Sequence, residues 1–432
     1  MPPSAIALLA FRCAAVGQPA LPEDVLHLAR VRTKVKTAFA ALPDYVCLAT
    51  THRFASRRGS NRPVLEDIIR MDVLHAGKQE AYAWPEHDDF HESGPGQMVG
   101  HGILASGSFA THAMDVFLGG FSTVKYAGPG NVNGREARVW NYSIPEYASG
   151  WVVKVGTLSA TVGSEGSFWA DASSDDVQRL VVRATGIPPD FPLRSVTTTI
   201  DFAPVTIQNR AQWLAQSAED VLVNADGTTS INRTSFSHCR QYAARTTISF
   251  DPGAGSRVSG AEAAAGRPVQ LEPGLRMELE LETEIRPDSA VVGDPILARL
   301  ASDVRHGGRL IAPKGSPVRG RLRQMRRNSD PVEAYEVGLE FTEIELPAGT
   351  ARFYASLQSV NSPVVGLRWM LSKEQKPIEK PMAYGEQWEM HSRVVYLSQI
   401  PGVGNFFIEG RSFVLPKGMR MTWVTESPSV AK

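Results

Sequence analysis

The feature that most constrains this fold is the pattern of residues 166–207, where three extended segments follow one another with turn-forming residues between them. The Ser-rich stretch 171–176 separates the first two segments, because short polar side chains bond to their own backbone and favour turns. In the second segment Leu180 and Val182 share one side, while Arg183 lies on the other, as the two-residue period of a strand requires. The pattern predicts a β-meander with one apolar face in the middle of the chain.

Length and charge limit the classes of protein to which this chain can belong. The chain has 432 residues, enough for two domains that each bury a core. Lys plus Arg and Asp plus Glu both number 45, so no whole-chain field attracts nucleic acid or an anionic membrane. With 37 Gly and 29 Pro the composition favours a β-rich globular protein. We expect no nucleic-acid partner, and no motif implies a cofactor.

Changes in composition and in the pattern of apolar residues divide the chain into segments. Residues 1–20 are a possible signal segment, and 21–252 carry the meander and form the first predicted domain. Residues 253–272 are rich in Gly, Ala and Pro and predict a linker. Residues 273–426 alternate cleanly and contain recurring Pro-x-Gly turns, which predict a β-sandwich or a small barrel.

The N-terminus resembles an imperfect export signal. Its short apolar core is interrupted by Arg12 and no basic residue precedes it, yet cleaved export is the preferred interpretation. A lipoprotein signal through Cys13 is disfavoured, because Arg12 stands where such sites use a small residue. No apolar run approaches the length of about 18 residues that a membrane span needs, so we expect a periplasmic or extracellular protein that is not transmembrane.

Local patterns place the elements of the first domain. Apolar residues at helical spacing predict an amphipathic helix over 21–40, and a second helix is predicted over 106–118. Residues 67–83 predict a hairpin, and Asp226 followed by Gly227 predicts another hairpin turn.

Two of the three cysteines can form a disulfide bond. If Cys13 leaves with a signal segment, Cys47 and Cys239 remain as an even pair in a β-rich exported domain, which favours a bond between them. Such a bond would tie the first strand of the domain to one of its last strands. The alternative is two separately buried thiols.

The most metal-like cluster lies in residues 86–92, where His87 and His91 are four positions apart. On a helix this spacing would put both imidazoles on one face, as a zinc site needs. Pro85 before the cluster and the Gly-Pro-Gly stretch after it favour a solvated acidic loop instead. The two histidines are therefore weak candidates, and we assign no metal.

Basic residues concentrate in one extended segment. Arg319, Arg321 and Arg323 stand at two-residue spacing and predict one charged strand face. This face could meet an anionic partner such as a phosphate-bearing glycolipid or an acidic protein. The alternatives are a solvated outer face and a charged edge strand that resists aggregation.

A family resemblance rests on a few stretches. A long N-terminal helix, a hairpin and the run GSFWAD at 166–171, followed by Arg179 and Leu180, resemble the LolA and RseB superfamily of periplasmic proteins over about 21–250. Through residues 42–47, 187–192 and 415–423 the whole chain is also similar to a group of large exported bacterial proteins. The resemblance implies an open, curved antiparallel sheet closed on its concave side by helices. In that superfamily the enclosed apolar space takes acyl chains in some members and serves sensing or interaction in others, and the resemblance supplies no catalytic residues.

The combined expectation is a mainly β (α+β) protein: a curved antiparallel half-barrel sheet with covering helices, followed by a β-sandwich or small barrel. The first functional hypothesis is a non-catalytic exported cell-envelope protein that binds a lipid, acyl or other hydrophobic ligand in the curved sheet. The alternative is an envelope protein-protein interaction or sensing scaffold, and a metal-dependent hydrolase is a third hypothesis. The sequence does not name ligand-binding residues. The first hypothesis fails if the concave face is filled by the protein's own side chains.

Overall fold

The computed structural model describes residues 21–56, 60, 62–77, 79–87, 90, 95–99, 104–155, 158–242, 269–328, 333–364, 366–370 and 400–427. The possible signal segment 1–20, His91 and most of the predicted linker lie outside the described residues.

The described residues contain three α-helices: α1 (Glu23–Ala41), α2 (Thr111–Leu118) and α3 (Glu146–Ser149). A 3₁₀ turn covers Pro95–Gln97. Helix α1 confirms the amphipathic helix predicted near the N-terminus, whereas α2 begins five residues later than predicted over 106–118. No described helix combines the length and apolar character needed to cross a bilayer.

The first sheet has 11 antiparallel strands: β1 (Tyr45–Ser56), β2 (Pro63–Ala76), β3 (Gln79–Ala83), β4 (Thr123–Val132), β5 (Arg135–Ile144), β6 (Trp151–Val155), β7 (Leu158–Asp171), β8 (Val177–Thr185), β9 (Leu193–Ile207), β10 (Arg210–Asn224) and β11 (Thr229–Gln241). Their order is β3-β2-β1-β11-β10-β9-β8-β7-β5-β4, and β6 pairs with β7 off this path. Strands β7, β8 and β9 are neighbours in sequence order, which confirms the predicted meander. The sheet curls into a half-barrel, as expected.

Helices α1 and α2 cover the concave face of this half-barrel. Phe117 of α2 meets Phe168 of β7 edge to face, with ring centroids 4.9 Å apart. His27 of α1 stacks on Trp140 of β5 at 6.1 Å. The alternation of the strands therefore turns one apolar side toward the helices, which bury it.

A disulfide joins two neighbouring strands of the first sheet. Cys47 of β1 and Cys239 of β11 are bonded, and 192 positions separate them in the sequence. The two strands are direct antiparallel neighbours, with an irregularity of register between Val46 and Leu48 at the bond. The predicted pairing is confirmed, and the bond fixes the strands that join the N-terminal hairpin to the meander.

Replacing Cys47 and Cys239 together by Ala should lower the free energy of unfolding by roughly 4–5 kcal/mol, because a loop of this length gains much conformational entropy when the cross-link is lost. Urea unfolding followed by tryptophan fluorescence would measure the change. Reduction of the wild type with a thiol reagent is the matched comparison and should lower the midpoint to that of the double variant. An equal midpoint for the double variant and the wild type would show that the bond does not constrain the unfolded chain.

The second sheet follows along the chain and has 10 strands: β12 (Val269–Gln270), β13 (Arg276–Leu281), β14 (Pro295–Leu300), β17 (Pro317–Asn328), β18 (Ala334–Leu346), β19 (Gly349–Arg352), β20 (Tyr354–Asn361), β21 (Leu367–Met370), β22 (Val403–Glu409) and β23 (Arg420–Glu426). Strands β15 (Val304–His306) and β16 (Arg309–Ala312) form a separate hairpin. The main order is β12-β19-β18-β17-β14-β13-β23-β20, and β22 pairs with β18 and β21.

The second sheet coils around an aromatic core. Trp423, Phe341 and Phe406 are fully buried, and the rings of Phe341 and Trp423 meet edge to face at 5.4 Å. Gly404 of β22 lies so close to Trp423 and to Leu357 of β20 that a Cβ there would come within 2.9 Å of either side chain. The two ends of the coiled sheet are therefore packed against each other.

The start of the second sheet extends into the predicted linker. Val269 and Gln270 pair in parallel with β19, and Leu271 is buried. The division at 253–272 otherwise falls outside the described residues and stays a prediction.

The two sheets meet at the edge of β2. Ile69 bridges Val292 in parallel, and Arg70 N donates to the carbonyl of Val292 at 2.8 Å. The Arg70 guanidinium also pairs with Asp294 at 2.8 Å. Gly293 lies between them with a positive φ of 101°, and a Cβ there would come within 2.3 Å of the Arg70 carbonyl. Glycine is thus needed for the approach of the two backbones.

The predicted arginine face is divided by this contact. Arg321 and Arg323 are buried, with their guanidinium carbons 5.6 Å and 4.9 Å from the ring centre of Trp84. Arg323 also donates to Glu340 at 2.6 Å, and burial lowers the pKa of Arg321 to about 10. Only Arg319 of the three is exposed, where it pairs with Glu345. The expectation of one accessible three-arginine surface is corrected: long-range docking of Trp84 removes two of its members from solvent.

Arg323→Ala should lower the free energy of unfolding by about 3 kcal/mol, since it leaves Glu340 largely buried without its cation. Arg319→Ala is the matched control from the same strand and should change it by less than about 0.5 kcal/mol, because an exposed ion pair contributes little. Chemical denaturation of both variants would measure the difference. Equal effects would contradict the buried placement of Arg323.

Candidate functional site

The concave face of the first sheet is filled largely by the protein's own side chains. Tyr45, Phe168, Leu180 and Ile200 are almost fully buried between the sheet and its covering helices. This packing occupies much of the space that an enclosed ligand would need, but it does not fill the face completely, so the condition that would exclude the ligand hypothesis is not met. Among the described residues at least two spaces remain, and both lie on the concave face.

The first space is an apolar cleft of about 70 Å³ between α1, α2 and strands β8–β10. Aliphatic and aromatic side chains form most of its wall, and polar groups of α1, the β7–β8 turn and β10 stand among them. The lining residues are Lys34, Val35, Ala38, Phe39, Leu42, Tyr45, Phe109, Ala113, Phe117, Asp175, Asp176, Val177, Phe202, Gln212, Trp213, Leu214 and Ala215.

Helix α1 roofs this cleft but buries little of itself. Of its residues, His27 and Val31 are buried. Polar contacts fasten it to the turn between β7 and β8: His27 Nε2 donates to the Asp171 carbonyl at 3.2 Å, and Lys34 pairs with Asp176 at 2.6 Å. Arg30 pairs with Asp175 at 3.2 Å. Partly exposed ion pairs of this kind contribute at most about 1 kcal/mol each, so the roof is held by small increments.

The β7–β8 turn owes its shape to Asp171, the acidic residue of the GSFWAD run. Its carboxylate accepts from the backbone N–H of Ser173 and of Ser174, both at 2.9 Å, and from Gln178 at 2.8 Å. Burial alone would raise the pKa of Asp171, but these bonds outweigh it and hold the pKa well below the usual range. The motif therefore builds the turn that anchors α1.

The second space is a smaller cavity of about 30 Å³, and its wall is partly polar. Thr51, Ser108, Asp220, Asn232 and Thr234 face it together with apolar residues. The hydroxyls of Thr51 and Thr234 lie 2.9 Å apart. The cavity therefore offers hydrogen-bonding groups inside an otherwise apolar region.

Asp220 and Asn232 belong to a row of polar side chains that crosses five neighbouring strands. The register sets Arg53 of β1 opposite Asn232 of β11, Asn232 opposite Asp220 of β10, and Asp220 opposite Thr198 of β9. On the other side Arg53 faces Asp67 of β2 and donates to it at 2.7 Å. All five side chains are buried. We call these residues the polar row.

Asp220 is the carboxylate of the row that lines the cavity. It is 3% exposed and accepts from the Thr198 hydroxyl at 2.7 Å. Burial raises the pKa of Asp220 to about 6, against the opposing effect of the Thr198 bond.

Phe109 separates the cleft from the cavity and lines both. Its ring lies 5.0 Å from that of Tyr45 on the cleft side and 4.9 Å from that of Phe236 on the cavity side. Three rings therefore form the partition between the two spaces.

A buried carboxylate positions the turn that carries Phe109. Glu80 of β3 accepts from the backbone N–H of Gly107 at 2.9 Å, of Ala110 at 2.8 Å and of Thr111 at 2.9 Å. The Tyr82 hydroxyl donates to the same carboxylate at 2.7 Å. Burial alone would raise the pKa of Glu80, but these donors outweigh it and lower the pKa. Glu80 thus caps helix α2 from strand β3. This explains why α2 starts at Thr111 although the N-cap residue Ala110 makes no capping hydrogen bond.

Asp220→Asn should raise the free energy of unfolding by about 2 kcal/mol near neutral pH, because the fold disfavours the ionised carboxylate. The folded-state pKa of about 6 lies above the ordinary value of 3.8, so wild-type stability falls as pH rises between these values. The difference between the variant and the wild type should vanish below about pH 4. Denaturation at a series of pH values would measure it.

Glu136→Gln is the control for that comparison, since Glu136 is an exposed carboxylate on β5 of the same sheet, four strands away from β10 in the strand order. It should change the free energy of unfolding by less than about 0.5 kcal/mol at every pH. A lower stability of Asp220→Asn at neutral pH would contradict the proposed cost of the buried charge.

The sequence-predicted metal candidates are not brought into a site. His87 is half-buried, and burial together with the nearby Arg321 guanidinium lowers its pKa. His91 lies outside the described residues. In the part of the chain that the structure describes, no group of three or more His, Cys, Asp or Glu could hold a metal ion.

Sequence reasoning missed Glu80, Phe109 and Asp220. A usable signal existed for Asp220, because it stands between Ala218 and Leu222 in the inward phase of β10, where a charged residue is unexpected. Glu80 and Phe109 gave no local signal, since their roles depend on contacts between distant segments.

Comparison with solved structures returns proteins of low sequence identity, each of which matches half of this chain. A domain described as an outer membrane lipoprotein-sorting protein, from Vibrio parahaemolyticus, is 12% identical, with a TM-score of 0.28, and the match covers 50% of this chain and 91% of that chain. A DUF1329 family protein from Desulfovibrio piger is 11% identical, with a TM-score of 0.30 and coverage of 50% and 92%. A LolA superfamily protein from Nitrosomonas europaea is 8% identical, with a TM-score of 0.27 and coverage of 50% and 94%.

No family model matches the chain, and a search of curated proteins finds no match.

Proposed function

We propose that this protein is a non-catalytic, exported cell-envelope protein that binds a hydrophobic ligand, such as an acyl chain, in the apolar cleft beneath α1. The observation that carries the proposal is the cleft itself, an opening walled mainly by aliphatic and aromatic side chains in an otherwise packed face. Ligand sites are typically concave and mostly apolar, with a few polar groups that fix orientation. The sequence resemblance to the LolA and RseB superfamily implies the same class of ligand.

The size of the cleft defines how binding would occur. Its volume of about 70 Å³ is well below the roughly 300–1,000 Å³ of typical ligand pockets. A chain-like ligand therefore requires α1 to shift away from the sheet. The small free energies of the ion pairs that fasten α1 make this shift accessible, and ligand contacts would replace the lost packing.

Two observations support export. The Cys47–Cys239 disulfide suits an oxidising compartment outside the cytoplasm. The N-terminal segment 1–20 resembles a signal, although it lies outside the described residues.

A non-catalytic role is supported by the chemistry of the cleft. Its charged lining residues, Lys34, Asp175 and Asp176, take part in the ion pairs between α1 and the β7–β8 turn. They serve the attachment of the roof, and the rest of the described wall is mainly apolar.

The alternative is an interaction scaffold, and the filling of the concave face favours it. Side chains such as Phe168 and Leu180 occupy much of the concave face in the described part of the chain. On this alternative the sheet is a packed support, and the arginine segment serves the contact between the two sheets rather than an outside partner.

Ala38→Phe should weaken binding of the neutral apolar dye N-phenylnaphthylamine by roughly tenfold or more, because the new ring fills the cleft. Ala40→Phe is the matched control: it lies two positions away on an exposed part of α1 and should leave dye affinity unchanged. Fluorescence titration would measure both. Saturable binding that both variants retain fully would place the dye elsewhere.

The natural occupant is identified separately, by denaturing protein purified from its native envelope fraction and analysing released lipid by mass spectrometry. A stoichiometric acyl species supports ligand binding. Protein that is free of lipid and does not bind the dye favours the scaffold.

A further inference from the structure

We propose that the polar cavity beside Asp220 is a head-group subsite, so that the ligand is a single-chain amphiphile whose polar end donates hydrogen bonds, as an alkylamine or an alkanol does. This inference rests on the proposed function, because the apolar cleft would hold the chain of the same molecule. It adds a chemical class of ligand, which the cleft alone does not define.

The charge of the cavity selects the head group. Asp220 is the carboxylate on its wall, and the other polar residues there are Thr51, Ser108, Asn232 and Thr234. Among the described residues, the wall contains no Lys, Arg or His. A hydroxyl or an ammonium group can donate to Asp220, whereas a carboxylate or phosphate head would stand against a buried like charge without a cation to compensate it.

Arg53, the cation of the polar row, is already bound to a carboxylate. Arg53 stands opposite Asn232 in the register, but its guanidinium donates to both carboxylate oxygens of Asp67. Both partners are buried, so release of Arg53 to an anionic ligand would leave Asp67 as an uncompensated charge. The Arg53–Asp67 ion pair therefore stays intact, and the cavity still favours head groups that donate hydrogen bonds.

The two spaces are adjacent along one strand. Leu214 and Ala215 of β10 line the cleft, and Asp220 of the same strand lines the cavity. Five residues of extended strand span about 16 Å, which suits one alkyl chain of medium length laid along β10.

Phe109 is the one described residue that lines both the cleft and the cavity. Its backbone is held because Glu80 binds the N–H groups of Gly107, Ala110 and Thr111 around it. The aromatic ring can change its rotamer while this backbone stays fixed. A movement of the Phe109 side chain therefore joins the cleft to the cavity. This movement is coupled to the shift of α1 that ligand entry into the cleft requires.

The test compares three compounds with the same twelve-carbon chain, namely dodecylamine, dodecanol and dodecanoate, as competitors of bound N-phenylnaphthylamine at about pH 8, where Asp220 is ionised. We expect the amine and the alcohol to bind at least about tenfold more tightly than the carboxylate. Concentrations stay below those at which the compounds aggregate.

Asp220→Asn should remove most of the discrimination between dodecanol and dodecanoate and keep the affinity for dodecanol within a few-fold. Thr234→Val removes a hydroxyl from the same wall at nearly constant volume and should weaken dodecanol several-fold without changing dye binding. Glu136→Gln, outside the cavity, should reproduce the wild-type order.

The outcomes separate this inference from the proposed function. Dye binding with equal affinity for all three compounds, or discrimination that survives in Asp220→Asn, would overturn the head-group subsite and leave the apolar cleft intact. Absence of saturable dye binding in the wild type would overturn both.

Discussion

The pairing of β1 with β11 is the constraint on which the rest of the first sheet depends. It joins the N-terminal hairpin to the meander and makes one sheet from two distant parts of the chain. The same register sets Cys47 near Cys239 and Arg53 opposite Asn232, so one set of backbone hydrogen bonds aligns both the disulfide and the polar row. A shift by one residue would turn the row away from the concave face. The covalent bond and the chemistry of the interior are thus consequences of a single alignment.

Glu80 and Asp220 show how the same burial has opposite consequences. Both carboxylates are removed from water, yet the pKa of Glu80 is lowered and that of Asp220 is raised. Glu80 accepts from three backbone N–H groups and two hydroxyls, which compensate its charge. Asp220 accepts from Thr198, and that bond is outweighed by burial. The first carboxylate is a structural anchor, whereas burial disfavours the charge of the second.

The sequence predicted those parts of the structure that local patterns determine. The two-residue period of β7–β9, the helical period of α1 and the turn at Asp226 and Gly227 are properties of short segments, and each is confirmed. The disulfide followed from the count of cysteines and the expected compartment. The burial of Arg321 and Arg323 could not be predicted, because it depends on Trp84 from a segment more than two hundred positions away. The polar row was inaccessible for the same reason: its members are adjacent only after strands far apart in sequence have paired.

The contact between the sheets also bears on how the chain avoids self-association. Strand β3 pairs with residues 72–76 of β2, which leaves the earlier part of β2 as a sheet edge. The segment around Val292 binds this edge through Arg70 N and the Ile68 carbonyl, as one short parallel bridge. Exposed edges are templates for pairing with other chains, and proteins commonly cover them. The second half of the chain therefore covers an edge of the first, and as the chain folds this edge stays open until the residues around Val292 have docked on it.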